Sequence, residues 1–167
     1  MNLRRGVAAD IPALDPIALA SKAHWGYTAE QLAVWRDELA VSAESLSARP
    51  ICVAEEYGRP IGFVQVATDT QPWGIAALWV HPSQIGKGVG KALLAWARQF
   101  AAAGGQPELA IDADPHAAGF YQACGARLLG SVAAPIAGDP TRVRPQLSLR
   151  TTAVEPVART RSQRQTP

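Results

Sequence analysis

The chain has 167 residues, 48% of them hydrophobic, and its formal net charge is only +2. This length and composition are those of one globular domain with a sizeable core. Residues 1–150 hold 13 basic and 13 acidic side chains, so no basic face is expected and nucleic acid is not a predicted partner. No apolar run approaches the about 20 residues of a membrane span, and no signal core opens the chain. The sequence predicts a cytoplasmic protein with no membrane contact.

The first third of the chain predicts a strand and two helices. Residues 3–7 have the pattern of a short strand, and Asp10 with Pro12 predicts the cap and first turn of a helix that runs to about Ala23. Thr28 is the predicted cap of a second helix. The buried face of that helix is expected to carry Leu32, Trp35 and Leu39.

The rest of the chain predicts a mixed sheet. The expected strands are residues 51–56, 61–67, 74–80, 108–112, 128–133 and 144–149. The helix between residues 80 and 108 implies that the strands on either side of it are parallel. A short helix from Asp114 is expected to end at Gly125. Residues 1–150 are the predicted domain, and residues 151–167 are predicted to be a disordered tail.

Two cysteines complete the composition. Cys52 and Cys124 both lie in apolar stretches and lack the spacing of metal ligands. They are predicted to be reduced, buried thiols, and no metal site is expected.

A glycine-rich loop joins the strand at residues 74–80 to a long helix. Pro82 ends the strand, and Gly86, Gly88 and Gly90 follow at alternate positions. Glycines let a backbone approach a ligand closely, and the free N–H groups of a helix start point toward an anion. Lys87 and Lys91 add positive charge, so the loop predicts an anion-binding site.

Two well-known phosphate-binding loops do not fit this spacing. The nucleotidase loop requires a glycine where Ile85 stands and a hydroxyl residue where Ala92 stands. The dinucleotide fingerprint requires a third glycine, but Lys91 or Leu93 occupies that place.

The loop resembles the coenzyme A loop of the GNAT superfamily of N-acetyltransferases, whose motif is Gln/Arg-x-x-Gly-x-Gly/Ala. Gly88-Val89-Gly90 supplies the glycine part, while Ile85 replaces the usual Gln or Arg. Residues 114–126 resemble a second signature of that family, Asn-x-x-Ala-x-x-Phe-Tyr-x-x-x-Gly-Phe, with Asp114 at the Asn position and Ala126 at the final position. Two motifs in the right order are more specific than either one alone.

The resemblance implies a single GNAT-like α/β domain, with a mixed central sheet of about six to seven strands flanked by about four helices. It implies transfer of an acetyl group from acetyl-CoA to the primary amine of a small molecule, by direct attack in a ternary complex. Tyr121 is then the acid that protonates the departing thiolate. The implied coenzyme-binding residues are Leu78, Val80, Ile85, Gly86, Lys87, Gly88, Val89, Gly90, Lys91 and Asp114.

Several alternatives stay open. His24, Trp25 and Tyr27 are expected to line the acceptor site, or to form a packed corner between helices. The general base is not assigned, and its candidates are His24, His81, Asp69 and Asp112. The alternative functions are a non-catalytic acyl-CoA-binding module and acetylation of a protein N-terminus or lysine. The resemblance is also compatible with a homodimer.

Overall fold

The computed structural model describes residues 1–151 as an α/β domain built on one sheet. Its helices are Ile11–Ala23 (α1), Ala29–Leu39 (α2), Val89–Ala103 (α3) and Ala118–Ala123 (α4). Its strands are Asn2–Arg5 (β1), Ile51–Glu56 (β2), Arg59–Ala67 (β3), Gly74–Val80 (β4), Glu108–Asp112 (β5), Arg127–Ala133 (β6) and Val143–Arg150 (β7). The predicted sheet of six to seven strands with about four helices is confirmed.

The strand order in the sheet is β1-β2-β3-β4-β5-β7-β6. Every neighbouring pair is antiparallel except β4 and β5, which are parallel. The parallel pair predicted around the long helix is therefore confirmed, and α3 is its crossover.

Strands β4 and β5 separate soon after they meet. Only Gly74 and Ile75 of β4 pair with β5. The register between β3 and β4 shifts beside Ala76, which has no partner in β3. Because such a bulge bends its strand, β4 turns away from β5 and leaves an open space along Ala76–Val80. We call this space the β4–β5 gap.

Helices cover the two faces of the sheet. On one face, α3 buries Val89, Leu93, Leu94, Ala97 and Ala101 against the sheet, which is the i, i+4 spacing of one helical stripe. On the other face, α1 buries Leu14 and Ala18 beside Phe63 of β3. Within residues 1–151, none of these helices is long and apolar enough to cross a membrane.

The two predicted helix starts have different outcomes. Thr28 caps α2 as expected, since its Oγ1 accepts from Gln31 N at 3.2 Å and Gln31 Oε1 accepts from Thr28 N at 2.8 Å. Asp10 occupies the N-cap position of α1 and Pro12 lies in the first turn, as predicted, but the Asp10 side chain makes no capping hydrogen bond. Its carboxylate instead accepts from Arg4 and from the Val7 N–H, inside a 3-10 turn that precedes α1.

The predicted tail lies almost entirely outside the described residues, which end at Thr151. Thr151 itself is buried, and it donates from N to Pro107 O at 3.1 Å and from Oγ1 to Gln106 O at 2.6 Å.

We therefore expect truncation after Thr151 to leave the melting temperature unchanged, whereas truncation after Arg150 lowers it by several degrees. Thermal unfolding of the two truncated proteins tests this, and a loss of stability in the longer one would show that residues 152–167 pack on the domain.

Candidate active site

The glycine loop between β4 and α3 has a backbone suited to a bound anion. Gly86 and Gly88 have φ values of 79° and 85°, in the left-handed region that side chains disfavour. No atom lies within 4 Å of where a Cβ would stand on either residue. The loop is therefore open to a ligand at both glycines, and its shape depends on their lack of a side chain.

The loop also presents unused hydrogen-bond donors. Three N–H groups of this stretch already have backbone carbonyl acceptors within it, and they belong to Ile85, Lys87 and Ala92. Five other backbone N–H groups have no acceptor among residues 1–151, and they belong to Gly86, Gly88, Val89, Gly90 and Lys91. A run of free donors at a helix start binds an anionic group such as phosphate.

The other predicted loop residues differ in what they face. Ile85, Lys87 and Lys91 are exposed beside the free donors, whereas Val89 is buried in the core under α3. Gly90 faces α4, because a Cβ there would stand 3.3 Å from the Phe120 ring. The absence of a side chain at this position lets α4 approach the start of α3 closely.

The β4–β5 gap exposes a backbone edge beside this loop. His81 N donates to Ile61 O at 2.9 Å, and Trp79 pairs with Phe63 in the same register. In an antiparallel ladder the hydrogen-bonding groups of alternate residues point to the same side. The N–H and C=O groups of Leu78 and Val80 therefore point away from β3 and into the gap.

Tyr121 lies on α4, in the apolar cluster that also contains Val80 and Val89. Its side chain is 6% exposed, and its hydroxyl has no hydrogen-bond partner within residues 1–151. Burial is the main cause that raises the pKa of this phenol, and the neighbouring Cys124 raises it further. The hydroxyl therefore keeps its proton at neutral pH.

Asp114 is the centre of a buried group of charges. Its Oδ2 accepts from Lys22 Nζ at 2.5 Å, from Tyr27 Oη at 2.9 Å and from Arg142 Nη2 at 3.4 Å. Its Oδ1 accepts from His116 N at 3.0 Å. We call Lys22, Tyr27, Asp114 and Arg142 the ion cluster.

The pKa values of this cluster reflect burial and mutual attraction. Burial tends to raise the pKa of Asp114, but the hydrogen bond and charge of Lys22 outweigh it, so the carboxyl pKa is lowered. Burial lowers the pKa of Lys22, and Asp114 opposes that change only in part. At neutral pH Asp114 is therefore a carboxylate that acts as an acceptor only.

Aromatic rings surround the ion cluster. The Trp35 ring centroid lies 4.4 Å from Lys22 Nζ and 5.4 Å from Arg142 Cζ. Trp79 of β4 contacts the cluster from the sheet, with its ring 6.0 Å from Lys22 Nζ. On the solvent side, the Trp25 ring is stacked on the His116 ring with their centroids 5.5 Å apart, and both residues are exposed. The cluster thus lies between the end of β4 and an exposed aromatic rim.

The structure brings two of the three predicted acceptor residues into this region. Tyr27 belongs to the ion cluster, and Trp25 forms the rim with His116. His24 is exposed next to Trp25, with its ring edge-on at 5.1 Å.

The remaining candidates for a general base have other partners. Asp69 pairs with Arg49 at 3.1 Å, and Asp112 pairs with Arg144 at 3.0 Å, all of them at least partly exposed. His81 hydrogen-bonds within its own turn, where Nδ1 lies 2.8 Å from Ser83 Oγ. Within residues 1–151, no group of three or more His, Cys, Asp or Glu side chains is arranged to hold a metal ion.

Sequence reasoning missed Lys22 and Trp79 as members of this region. Lys22 sits in the last turn of α1, where a lysine normally faces solvent, and Trp79 lies within an apolar strand. The signal that could have found them is the group of aromatic residues that follows α1, namely Trp25, Tyr27 and Trp35, since cations are often covered by tryptophan and tyrosine rings.

Comparison with known proteins relates the domain to a known family. The family model described as "Acetyltransferase (GNAT) domain" matches residues 47–125. A solved GCN5-related N-acetyltransferase from Rhodopseudomonas palustris is 26% identical, with a TM-score of 0.75, and the alignment covers 89% of this chain and 94% of that one. No curated protein is similar enough in sequence to match the chain.

Two further solved structures share the fold at lower identity. The ribosomal-protein-S18-alanine N-acetyltransferase from Escherichia coli is 13% identical, with a TM-score of 0.70, and 92% of this chain and 96% of that one are covered. An aminoglycoside 6'-N-acetyltransferase complexed with coenzyme A is 14% identical, with a TM-score of 0.70, and the alignment covers 93% of this chain and 100% of that one. Residues 47–125, just under half of the chain, are thus similar to the GNAT acetyltransferase domain, and the described domain as a whole shares the fold of solved GNAT structures.

Proposed function

We propose that this GNAT acetyltransferase moves an acetyl group from acetyl-CoA to the primary amine of a small molecule, by direct attack in a ternary complex. The observation that carries the proposal is the set of five free N–H groups beside the open edge of β4. The loop suits the phosphates of the coenzyme, and the β4 edge suits the amide-containing pantetheine arm.

Coenzyme A fits the residues that are present. Gly86 and Gly88 leave room at the loop, and Lys87 and Lys91 add positive charge at its surface. Leu78 and Val80 offer the N–H and C=O groups that a paired strand would otherwise use. We assign these residues, with Ile85, Val89 and Gly90, to coenzyme binding. Asp114, which was also predicted to bind the coenzyme, has Lys22, Tyr27 and Arg142 as its partners instead.

The chain contributes binding, orientation and one proton. Acetyl-CoA supplies the acetyl group in activated form, as a thioester. The Val80 N–H, which points into the β4–β5 gap, would polarise the thioester carbonyl oxygen, as an oxyanion-hole donor does. Tyr121 Oη would give its proton to the sulfur as the C–S bond breaks. The acceptor ammonium would first lose one proton to solvent and become a nucleophilic amine. The second proton, which its nitrogen loses once the C–N bond has formed, would restore the Tyr121 phenol.

The acceptor distinguishes this proposal from its alternatives. The two similar structures named above are described as acting on an aminoglycoside and on an alanine of a ribosomal protein. We favour a small molecule because the ion cluster and its aromatic rings make a compact lining of charges and rings behind the Trp25–His116 rim. Acetylation of a protein amine and a non-catalytic acyl-CoA-binding module remain the alternatives.

A screen of acetyl-CoA consumption separates these possibilities. The acceptor panel contains amines, amino acids, polyamines, aminoglycosides and peptides, and release of free thiol is the readout. We expect turnover with one class of small amine. Turnover only with peptides would favour the protein acceptor, and tight coenzyme binding without any turnover would favour the binding module.

The loop itself gives a sharper test. We expect Gly88→Ala to weaken coenzyme A binding at least tenfold, because a side chain at a φ of 85° distorts the backbone that presents the free N–H groups. Gly105→Ala is the matched control, since Gly105 has a φ of 73°, open space and a place at the far end of α3. Calorimetric titration of both variants decides the matter, and equal affinities would remove the loop from the coenzyme site. Gly90 is less suitable, because a side chain there meets Phe120.

The exposed edge strand β6 offers a surface for a homodimer. The edge strand β6 is exposed along its whole length and carries Leu128, Leu129 and Val132. An exposed apolar edge strand is a template for pairing with another chain. We therefore assign any homodimer to β6, and we retain the cytoplasm as the proposed location.

A further inference from the structure

Two buried cations in the ion cluster share one carboxylate. The side chains of Lys22, Arg142 and Asp114 are only 9%, 6% and 10% exposed. Asp114 is the carboxylate that pairs with both cations, so one positive charge has no partner of its own. Buried charges in proteins are normally paired, because an unpaired one is costly to remove from water.

The hydrogen bonds show which cation is left over. Lys22 Nζ has the short contact with Asp114, at 2.5 Å. Arg142 is held less closely, at 3.4 Å from both Asp114 Oδ2 and Tyr27 Oη and at 3.2 Å from Ala134 O. A guanidinium has five N–H donors in a planar fork. Arg142 therefore keeps donor capacity for a further acceptor.

The surroundings do not supply the missing negative charge. Arg144, two residues away, adds positive charge near Lys22, and its own partner is Asp112 at 3.0 Å. The other nearby groups are the aromatic rings and the exposed His116. Arg142 retains a small exposure, and the exposed Trp25 and His116 rings lie beside the ion cluster. Within residues 1–151, the second positive charge of the cluster is therefore left without a carboxylate of its own.

We propose that the acceptor is an amino carboxylate, a small molecule whose carboxylate pairs with Arg142 and whose amine reaches the β4–β5 gap. This inference rests on the proposed function and names the acceptor class for the same site. A planar guanidinium binds a carboxylate through two parallel hydrogen bonds. The Trp25 and His116 rings cover the carbon chain between the two groups. The cluster lies at the end of β4 that borders the gap, because the Trp79 ring lies 6.0 Å from Lys22 Nζ and Trp79 directly precedes Val80. The same surplus charge repels acceptors with a second ammonium group.

Three matched ligand series test the charge preference directly. The series are ω-amino carboxylates of two to six carbons, their carboxamides, and the diamines of the same lengths. Each is titrated calorimetrically into the full-length protein saturated with coenzyme A. We expect the best carboxylate to bind at least tenfold more tightly than its carboxamide, and the diamine to bind most weakly.

Two arginine variants locate the effect. Arg142→Gln leaves Lys22 and Asp114 as a neutral pair, and we expect it to reduce the preference for carboxylate over carboxamide at least tenfold while coenzyme A affinity is kept. Arg144→Gln is the control, an arginine two residues away whose side chain is 46% exposed, and it should keep the preference. If Arg142→Gln fails to fold, the ranking of the three series in the unaltered protein remains the test.

Each outcome has a defined meaning. The inference is overturned if diamines bind as tightly as carboxylates, if no carboxylate binds at millimolar concentration, or if Arg142→Gln keeps the preference. Binding of carboxylates without any acetylated product would support the anion site and count against the proposed function. Acetylation of diamines alone would do the reverse, since it would support acetyl transfer and overturn the acceptor class.

Discussion

Tyr121→Phe should lower the turnover number by about 10²-fold or more while leaving acetyl-CoA affinity nearly unchanged. This is the usual size of the loss when a general acid is removed. The ring that packs beside Val80 and Val89 is retained. Because the hydroxyl has no hydrogen-bond partner within residues 1–151, its removal should not lower the melting temperature. Steady-state kinetics with the acceptor found by screening, together with thermal unfolding, measure these effects.

The Tyr121 prediction separates catalysis from packing. A thioester with a more acidic thiol should show a smaller loss, since its leaving group requires less protonation. Tyr57→Phe is the control, because Tyr57 is 98% exposed in the turn between β2 and β3. This variant should change neither the turnover number nor the melting temperature. Near-normal turnover of Tyr121→Phe, with chemistry shown to be rate-limiting, would reduce Tyr121 to a core residue.

Asp114→Ala should be the most destabilising single change at a charged residue in the site. It leaves Lys22 and Arg142 buried without a carboxylate, and it removes the acceptor of Tyr27 and of the His116 N–H. Breaking a buried ion pair from one side costs about 3–5 kcal/mol. Denaturant unfolding should therefore show a large fall in the free energy of unfolding.

Asp112→Ala is the matched control for this prediction. Asp112 also pairs with an arginine, but its side chain is 45% exposed, and exposed pairs contribute little to stability. A double variant, Asp114→Ala with Lys22→Met, should recover part of the lost stability because one of the two stranded cations is removed. Equal effects of Asp112→Ala and Asp114→Ala would contradict the importance of the ion cluster.

The stability that Asp114 provides should also depend on pH in a defined direction. Its pKa in the folded protein is lowered from the usual 3.8. The Asp114 carboxylate therefore makes its full contribution to the free energy of unfolding above pH 3.8. This contribution is lost as the pH falls through the folded-state pKa of Asp114. Denaturant unfolding across the acid range should show that the difference in stability between the unaltered protein and Asp114→Asn becomes smaller at low pH.

Local patterns in the sequence determined the secondary-structure elements, the resemblance to the GNAT family and the glycine loop. The strand, glycine loop and helix over residues 74–103 depend on contacts between near neighbours: an apolar strand, Pro82, and glycines that accept positive φ. The capping box of Thr28 is equally local, and it was predicted correctly. Asp10 shows the limit of such rules, because Arg4 from β1 competes for its carboxylate.

Only the tertiary structure decided the acceptor side of the site. Lys22, Asp114 and Arg142 are 92 and 28 residues apart along the chain, and no local pattern relates them. Asp114 and Arg142 meet because β5 and β7 are antiparallel neighbours, and Lys22 joins them because α1 packs on one face of the sheet. The cluster holds two cations and one carboxylate. Burial makes its surplus positive charge important, because an unpaired charge is costly in a low-dielectric setting.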